Sequence, residues 1–168
     1  MALPVLDPTP GGASANTYAT LAEGNAYFEV RPGSEVWQDA GTDERTKGLL
    51  FAVVLIDREI YYDRKFSAGQ ALKFPRSNQS DSDGDPIIFT DIKHAQFEQA
   101  LDLMKGEYFD RLEFLEQKQM GVRQITTDET QVRMIPSWPE NMPVYALAPT
   151  ARQLLLPYIE STVRLGRA

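Results

Sequence analysis

The stretch Gly48-Leu49-Leu50-Phe51-Ala52-Val53-Val54-Leu55-Ile56 holds an unbroken apolar run, and its reading decides the fold. A run of this length suits a buried strand or a buried helix, and the flanks arbitrate. Thr42 can cap a helix start, Asp43 and Glu44 suit the positive end of a helix dipole, and Arg64 and Lys65 suit the negative end. These signals predict a helix from about Thr42 to Phe66. Val53, Val54 and Ile56 are β-branched, so intrinsic propensity does not hold it and burial on most of its circumference is expected to. The connection Ser67 to Arg76 follows, with Leu72 and Phe74 apolar and Pro75 requiring an extended residue before it.

Working back from that helix, Ser34-Glu35-Val36-Trp37 begins a short turn of helix closed by Gly41, and the Trp37 indole N–H needs a partner. Thr20-Leu21-Ala22-Glu23 has capping-box spacing and opens a helix that ends before Pro32-Gly33. Residues 1–16, broken by Pro4, Pro8, Pro10, Gly11 and Gly12, read as an extended arm. The arm is either frayed or docked on a neighbouring copy through Leu3, Val5 and Leu6.

Working forward, residues 77–86 read as a polar, turn-rich loop. From Thr90 or Asp91 to about Gln119 an apolar stripe (Phe97, Leu101, Met104, Tyr108, Leu112, Leu115) predicts one long helix of ~40 Å, with Gly106 marking a bend or a close contact. Its lower half presents Glu113, Glu116 and Lys118 to solvent or to a second subunit. Alternation between Val122 and Ile135 predicts a short strand or hairpin, and Pro149 opens a C-terminal helix that Pro157 bends or restarts. The chain is therefore expected to be mainly α: a helical bundle with a buried central helix, one long helix, a small hairpin and extended terminal arms. Its expected parts are an arm (1–16), a body (17–148) and a C-terminal helix with a docking tail (149–168).

The 168 residues suffice for one ordinary domain. Cysteine is absent, which removes disulfides, thiolate metal sites and thiol catalysis. A formal net charge of −7 argues against a surface that seeks phosphate everywhere, though a local basic patch is compatible with it. No signal peptide or apolar run near the ~20 residues of a membrane span is visible, so a soluble protein is expected. His94 is the one histidine, and no G-x-S-x-G elbow accompanies it, so no catalytic site is assigned. Asp81-Ser82-Asp83-Gly84-Asp85 imitates the front of a calcium loop, but Gln79 and Thr90 stand at its first and last ligand positions, so a polar turn is expected and no metal or cofactor site is assigned. Asp57, Glu59 and Asp63 are expected to pair with Arg58 and Arg64. Arg58, Tyr61, Tyr62, Arg64, Lys65, Lys73 and Arg76 could form a modest basic-aromatic surface, read either as nucleic-acid contact or as packing and ion pairs.

The segments Ser14-Ala15-Asn16-Thr17-Tyr18-Ala19-Thr20-Leu21-Ala22-Glu23, Ala26-Tyr27-Phe28, Trp37, Asp57-Arg58, Gly69 to Arg76 and Asp83-Gly84, in this order, resemble phage and prophage proteins catalogued as DnaT-like single-stranded-DNA-binding. Many of those are encoded among head and tail genes. The resemblance implies a non-enzymatic head–tail connector: a ring, commonly dodecameric, under the portal in the virion neck, joined to a tail or tail-completion protein, with DNA passing through unbound. Under that reading portal docking is expected at Tyr158, Val163, Arg164, Leu165 and Arg167, where apolar anchors and arginine can bury together, and subunit contacts at Leu3, Val5, Leu6, Glu113, Glu116 and Lys118. The alternative is the one the catalogue name carries, a replication accessory protein that binds single-stranded DNA.

Overall fold

Thr20 starts the first helix, α1 (Leu21–Glu29), as its sequence announces: its hydroxyl accepts from Glu23 N at 3.1 Å and the Glu23 carboxylate accepts from Thr20 N at 2.7 Å. In this computed structural model, residues 3–119, 125–127, 130–132 and 147–160 are described, with side chains to Glu113 and again from Leu147. After α1 come α2 (Glu35–Asp39), α3 (Thr42–Ile56), α4 (Thr90–Lys105), α5 (Glu107–Gln119), the strands β1 (Ile125–Thr127) and β2 (Thr130–Val132), and α6 (Pro149–Leu155). The strands pair antiparallel with Ile125 opposite Val132, so the small hairpin and the mainly helical class stand as expected.

Helix α3 is shorter than its flanks suggested. It ends at Ile56, capped by Asp57, whose N–H returns to Val53 O and Leu55 O, so Arg64 and Lys65 lie well past its dipole. Gly41, not Thr42, holds the cap position, with its N–H donated to the Glu44 carboxylate at 3.0 Å. Nor is α3 buried all round: Leu49, Ala52, Val53, Leu55 and Ile56 are inside, while Phe51 and Val54 are 40% and 47% exposed.

The long helix is two. Gly106 adopts φ +83, a left-handed conformation that ends α4 in the manner of a C-cap glycine, and α5 restarts at the next residue. Across the break, Arg111 donates to Asp102 at 2.7 and 2.5 Å, fixing α5 against α4.

Helix α4 is the hub. It packs against α1, α2, α3, α5 and α6, although its sequence is far more polar than that of α3. Its buried polar side chains are joined to other elements. Gln96 accepts from Tyr18 N (3.0 Å) and donates to Thr17 Oγ1 (2.7 Å) and Leu49 O (3.0 Å), and Gln99 accepts from Ala148 N (2.7 Å) at the start of α6. Glu98 accepts from the Tyr27 hydroxyl (2.6 Å) and from both Nε and Nη2 of Arg31. Each buried polar group thereby avoids the ~1–3 kcal/mol penalty of an unmade bond.

Two apolar clusters flank α4. One gathers Phe28, Trp37, Leu49, Phe97 and Leu101, and the other Tyr18, Val53, Ile56, Tyr61, Phe74, Ile92 and Leu155. The Trp37 indole N–H finds its partner in Asn25 Oδ1 at 3.1 Å. The N-terminal arm is folded on itself, Asn16 Nδ2 donating to Val5 O and Asn16 Oδ1 accepting from Asp7 N, and it is bound to the body where Thr17 N donates to Asp7 O and Ala71 N to Gly12 O. Asp7 gathers the hydroxyls and backbone of its own turn, and Thr9 first and then Ser14 hold its carboxyl below the usual range.

Candidate functional site

Beyond Asp57 the chain folds back on itself and builds a loop with an unusual internal clasp. Tyr61 bridges antiparallel to Ile159 and Lys65 to Arg76, so the loop is stitched to the chain just after α6 on one side and to its own return segment on the other. Asp63 takes φ 62, a left-handed conformation that a short polar side chain tolerates. Arg76 is 7% exposed, and its guanidinium donates to the carbonyls of Tyr62 (2.9 Å), Lys73 (3.0 Å), Tyr61 (3.3 Å) and Asp63. Only a planar fork of donors serves so many acceptors at once. Gln70 completes the turn, accepting from Ser67 N and donating to Leu72 O and Pro75 O. The Phe74–Pro75 peptide is cis, and the Phe74 ring sits among Tyr18, Tyr61 and Tyr158 with centroids 5.8, 4.6 and 5.8 Å away.

The clasp sorts the basic-aromatic residues into two groups. Tyr61 and Arg76 are internal, and burial pushes the Tyr61 hydroxyl well above its ordinary range. Arg58, Tyr62 and Arg64 are exposed, and Lys65 and Lys73 are half-buried. Ile60, 60% exposed, adds apolar surface that sequence patterning did not single out.

Asp57 does not form the expected ion pair with Arg58 or Arg64. It accepts instead from the Tyr18 hydroxyl and from Lys73 N at 3.0 Å, and burial outweighs these bonds and raises its carboxyl above the ordinary value. From Asp57 to Arg76 there are five basic and three acidic side chains in a chain of net charge −7, so this loop is a locally positive segment of an acidic protein.

The other expected site residues are scattered. Tyr158 is half-buried against Phe74, and its carbonyl accepts from Tyr62 N; Val163, Arg164, Leu165 and Arg167 lie outside the described residues. Leu6 packs on the protein's own cluster around Phe28 and Trp37, Leu3 is half-buried and Val5 is 88% exposed. Glu113 is exposed, and the side chains of Glu116 and Lys118 lie outside the described residues. His94 lies against Tyr27, ring centroids 4.5 Å apart. Asp81 is used by its own turn, its Oδ1 accepting from Asp83 N and Asp85 N, as a polar turn requires.

A second surface feature escaped the sequence reading. Val36, Ala40, Phe51, Leu103, Met104 and Phe109 line an open apolar groove of about 750 Å³. Val36, Phe51 and Phe109 are each at least 40% exposed. The exposure of Phe51 could not be inferred from a run in which every neighbour is apolar.

A family model described as "Putative DnaT-like ssDNA binding protein" matches residues 1–161. Nothing among the curated proteins or the solved structures matches the chain. The family match overturns the head–tail connector reading and the virion role that went with it, because the description names single-stranded-DNA binding and no neck or portal component. The connector was implied by a resemblance to proteins many of which are encoded among head and tail genes, and an encoding position carries no physical information about this chain's surface.

Proposed function

Because the chain belongs to the DnaT-like single-stranded-DNA-binding family, we propose that it binds single-stranded DNA through the clasped loop from Arg58 to Lys73. The observation that carries the placement is the exposed trio Arg58, Tyr62 and Arg64 on a loop whose backbone Arg76 holds from inside. Arg58 and Arg64 supply phosphate contacts, with Lys65 and Lys73 behind them, and Tyr62 supplies a face on which a base can stack. A strand laid here meets an ordered backbone, so less entropy is lost on binding. Four cations set the electrostatic contribution. At ~0.7 per phosphate for single strands, log K falls by about 2.8 per tenfold rise in salt, which is a drop of ~600-fold between 20 and 200 mM.

A fluorescence-anisotropy titration of labelled oligo(dT) tests this reading. Micromolar binding at 20 mM salt, that salt slope, and a loss of at least tenfold in the double substitution Arg58→Glu, Arg64→Glu are expected. Wild-type protein that leaves the oligonucleotide free at ~100 µM in low salt would sink the function. Binding that the double substitution leaves unchanged would sink the placement.

A further inference from the structure

The outer face of α3 carries the stripe Glu44, Lys47, Phe51, Val54 and Arg58, at spacings of three and four, every one exposed. Residues so spaced share one side of a helix, and Arg58 continues it in the turn just past the cap, its N–H donated to Leu55 O at 3.2 Å. The middle of the stripe is apolar and opens into the groove that Val36 and Phe109 also line. Its ends differ in sign. At the start of α3 stand the exposed acids Asp39, Asp43 and Glu44, with Lys47 beside them, and at its end stands Arg58, with the half-buried Glu59 next to it and the exposed Asp63 and Arg64 in the loop beyond. The helix dipole has the opposite sense at each end, so these acids and this arginine are also where a helix tolerates them best.

Glu44 and Arg58 stand at equal distances on either side of Phe51, so this oppositely charged pair complements itself when the helix is turned end for end. We infer that α3 is the docking surface for a second copy of this chain, the two α3 helices running antiparallel about a two-fold axis near Phe51. A two-fold interface places residue i against j and j against i. An axis at Phe51 puts Arg58 of each copy against Glu44 of the other, Phe51 against Phe51, and Val54 beside the apolar stem of Lys47. Val36 and Phe109 extend the apolar area on both sides. The stripe is ~21 Å long at 1.5 Å per residue, so the contact falls at the small end of specific interfaces and a micromolar dimer is expected. The acidic and basic ends also explain why the pairing is antiparallel: a parallel pair would bring like charges together at both ends. The inference does not rest on DNA binding, since the stripe meets the DNA-binding loop only at Arg58.

Sedimentation velocity of the full chain from 1 to 200 µM, without DNA, tests it. The expected result is a monomer–dimer equilibrium with a midpoint in the micromolar range. Val54→Asp, at an exposed position that leaves the core untouched, should raise the dissociation constant at least tenfold with an unchanged far-UV spectrum. Arg58→Glu and Glu44→Lys should each weaken the dimer to a similar degree. The double variant should associate more tightly than either single one, which mere loss of the Glu44 cap cannot produce. A wild-type monomer at 200 µM, a dimer indifferent to Val54→Asp, or a double variant no tighter than the singles would each overturn the inference.

Discussion

Replacing Arg76 by Met tests whether the clasp holds the loop. Methionine keeps most of the apolar stem and removes every donor of the guanidinium. The carbonyl of Tyr61 accepts in a buried setting, and those of Tyr62, Asp63 and Lys73 accept in partly buried ones. A buried acceptor left unmade costs ~2–3 kcal/mol, and partly buried ones that water can reach cost about 0.5 kcal/mol each, which together make ~4 kcal/mol. Relief from desolvating the guanidinium returns part of this, so a net loss of ~3 kcal/mol is expected, a large fraction of a typical domain's ~5–15 kcal/mol. Urea unfolding followed by far-UV circular dichroism at pH 7 would show the midpoint falling without a change in slope, and thermal melting would shift by roughly 6–12 °C. Arg76→Lys keeps the charge but not the planar fork and should recover less than half of the loss. A loss under about 1 kcal/mol for Arg76→Met would refute the clasp. So would full rescue by lysine, because a point charge would then suffice.

Three further outcomes are expected. Gln96→Leu strands Tyr18 N at the centre of the bundle and removes a second bond from Thr17 Oγ1, which still donates to Ala19 O, and from the helical carbonyl of Leu49; a cost of ~2–4 kcal/mol by urea unfolding is expected, and a near-neutral effect would mean that the apolar surface of α4 alone holds α1 and α3 in place. The Tyr27 hydroxyl is pushed up to about 12 by burial and by the Glu98 carboxylate, so its contribution is fully present below pH 10 and is lost as pH rises through 12. Wild type should therefore lose more stability than Tyr27→Phe between pH 9 and 11, and parallel pH profiles would contradict the assignment. Gly106→Ala forces a left-handed conformation on a residue with a Cβ, although no neighbour lies within 4 Å of that atom; a loss of ~1–2 kcal/mol is expected from backbone strain alone, and no loss would mean that α4 and α5 can merge into one helix.

Much of the fold was legible because local chemistry wrote it. The Thr20–Glu23 capping box, the apolar run of α3, Pro149 at the head of α6 and the alternation around the hairpin each specify an element through contacts a few residues apart. Element ends were less legible. Arg64 and Lys65 looked like the end of α3, but the helix stops where Asp57 turns the chain and sends Lys73 N to its carboxylate.

By itself, then, the sequence determined the helical class, the short hairpin, the absence of thiol chemistry and the locally basic loop in an acidic chain. The tertiary structure decided the hierarchy. It made polar α4 the hub, because Gln96, Glu98 and Gln99 found partners as far as 79 residues away in sequence. It also turned Arg76 inward and left Arg58, Tyr62 and Arg64 outside, since the loop carbonyls needed a buried fork of donors. Finally, it exposed Phe51 and Val54 within an uninterrupted apolar run. Which side of a uniformly apolar helix faces water depends on where its neighbours lie, and no periodicity within the run records that.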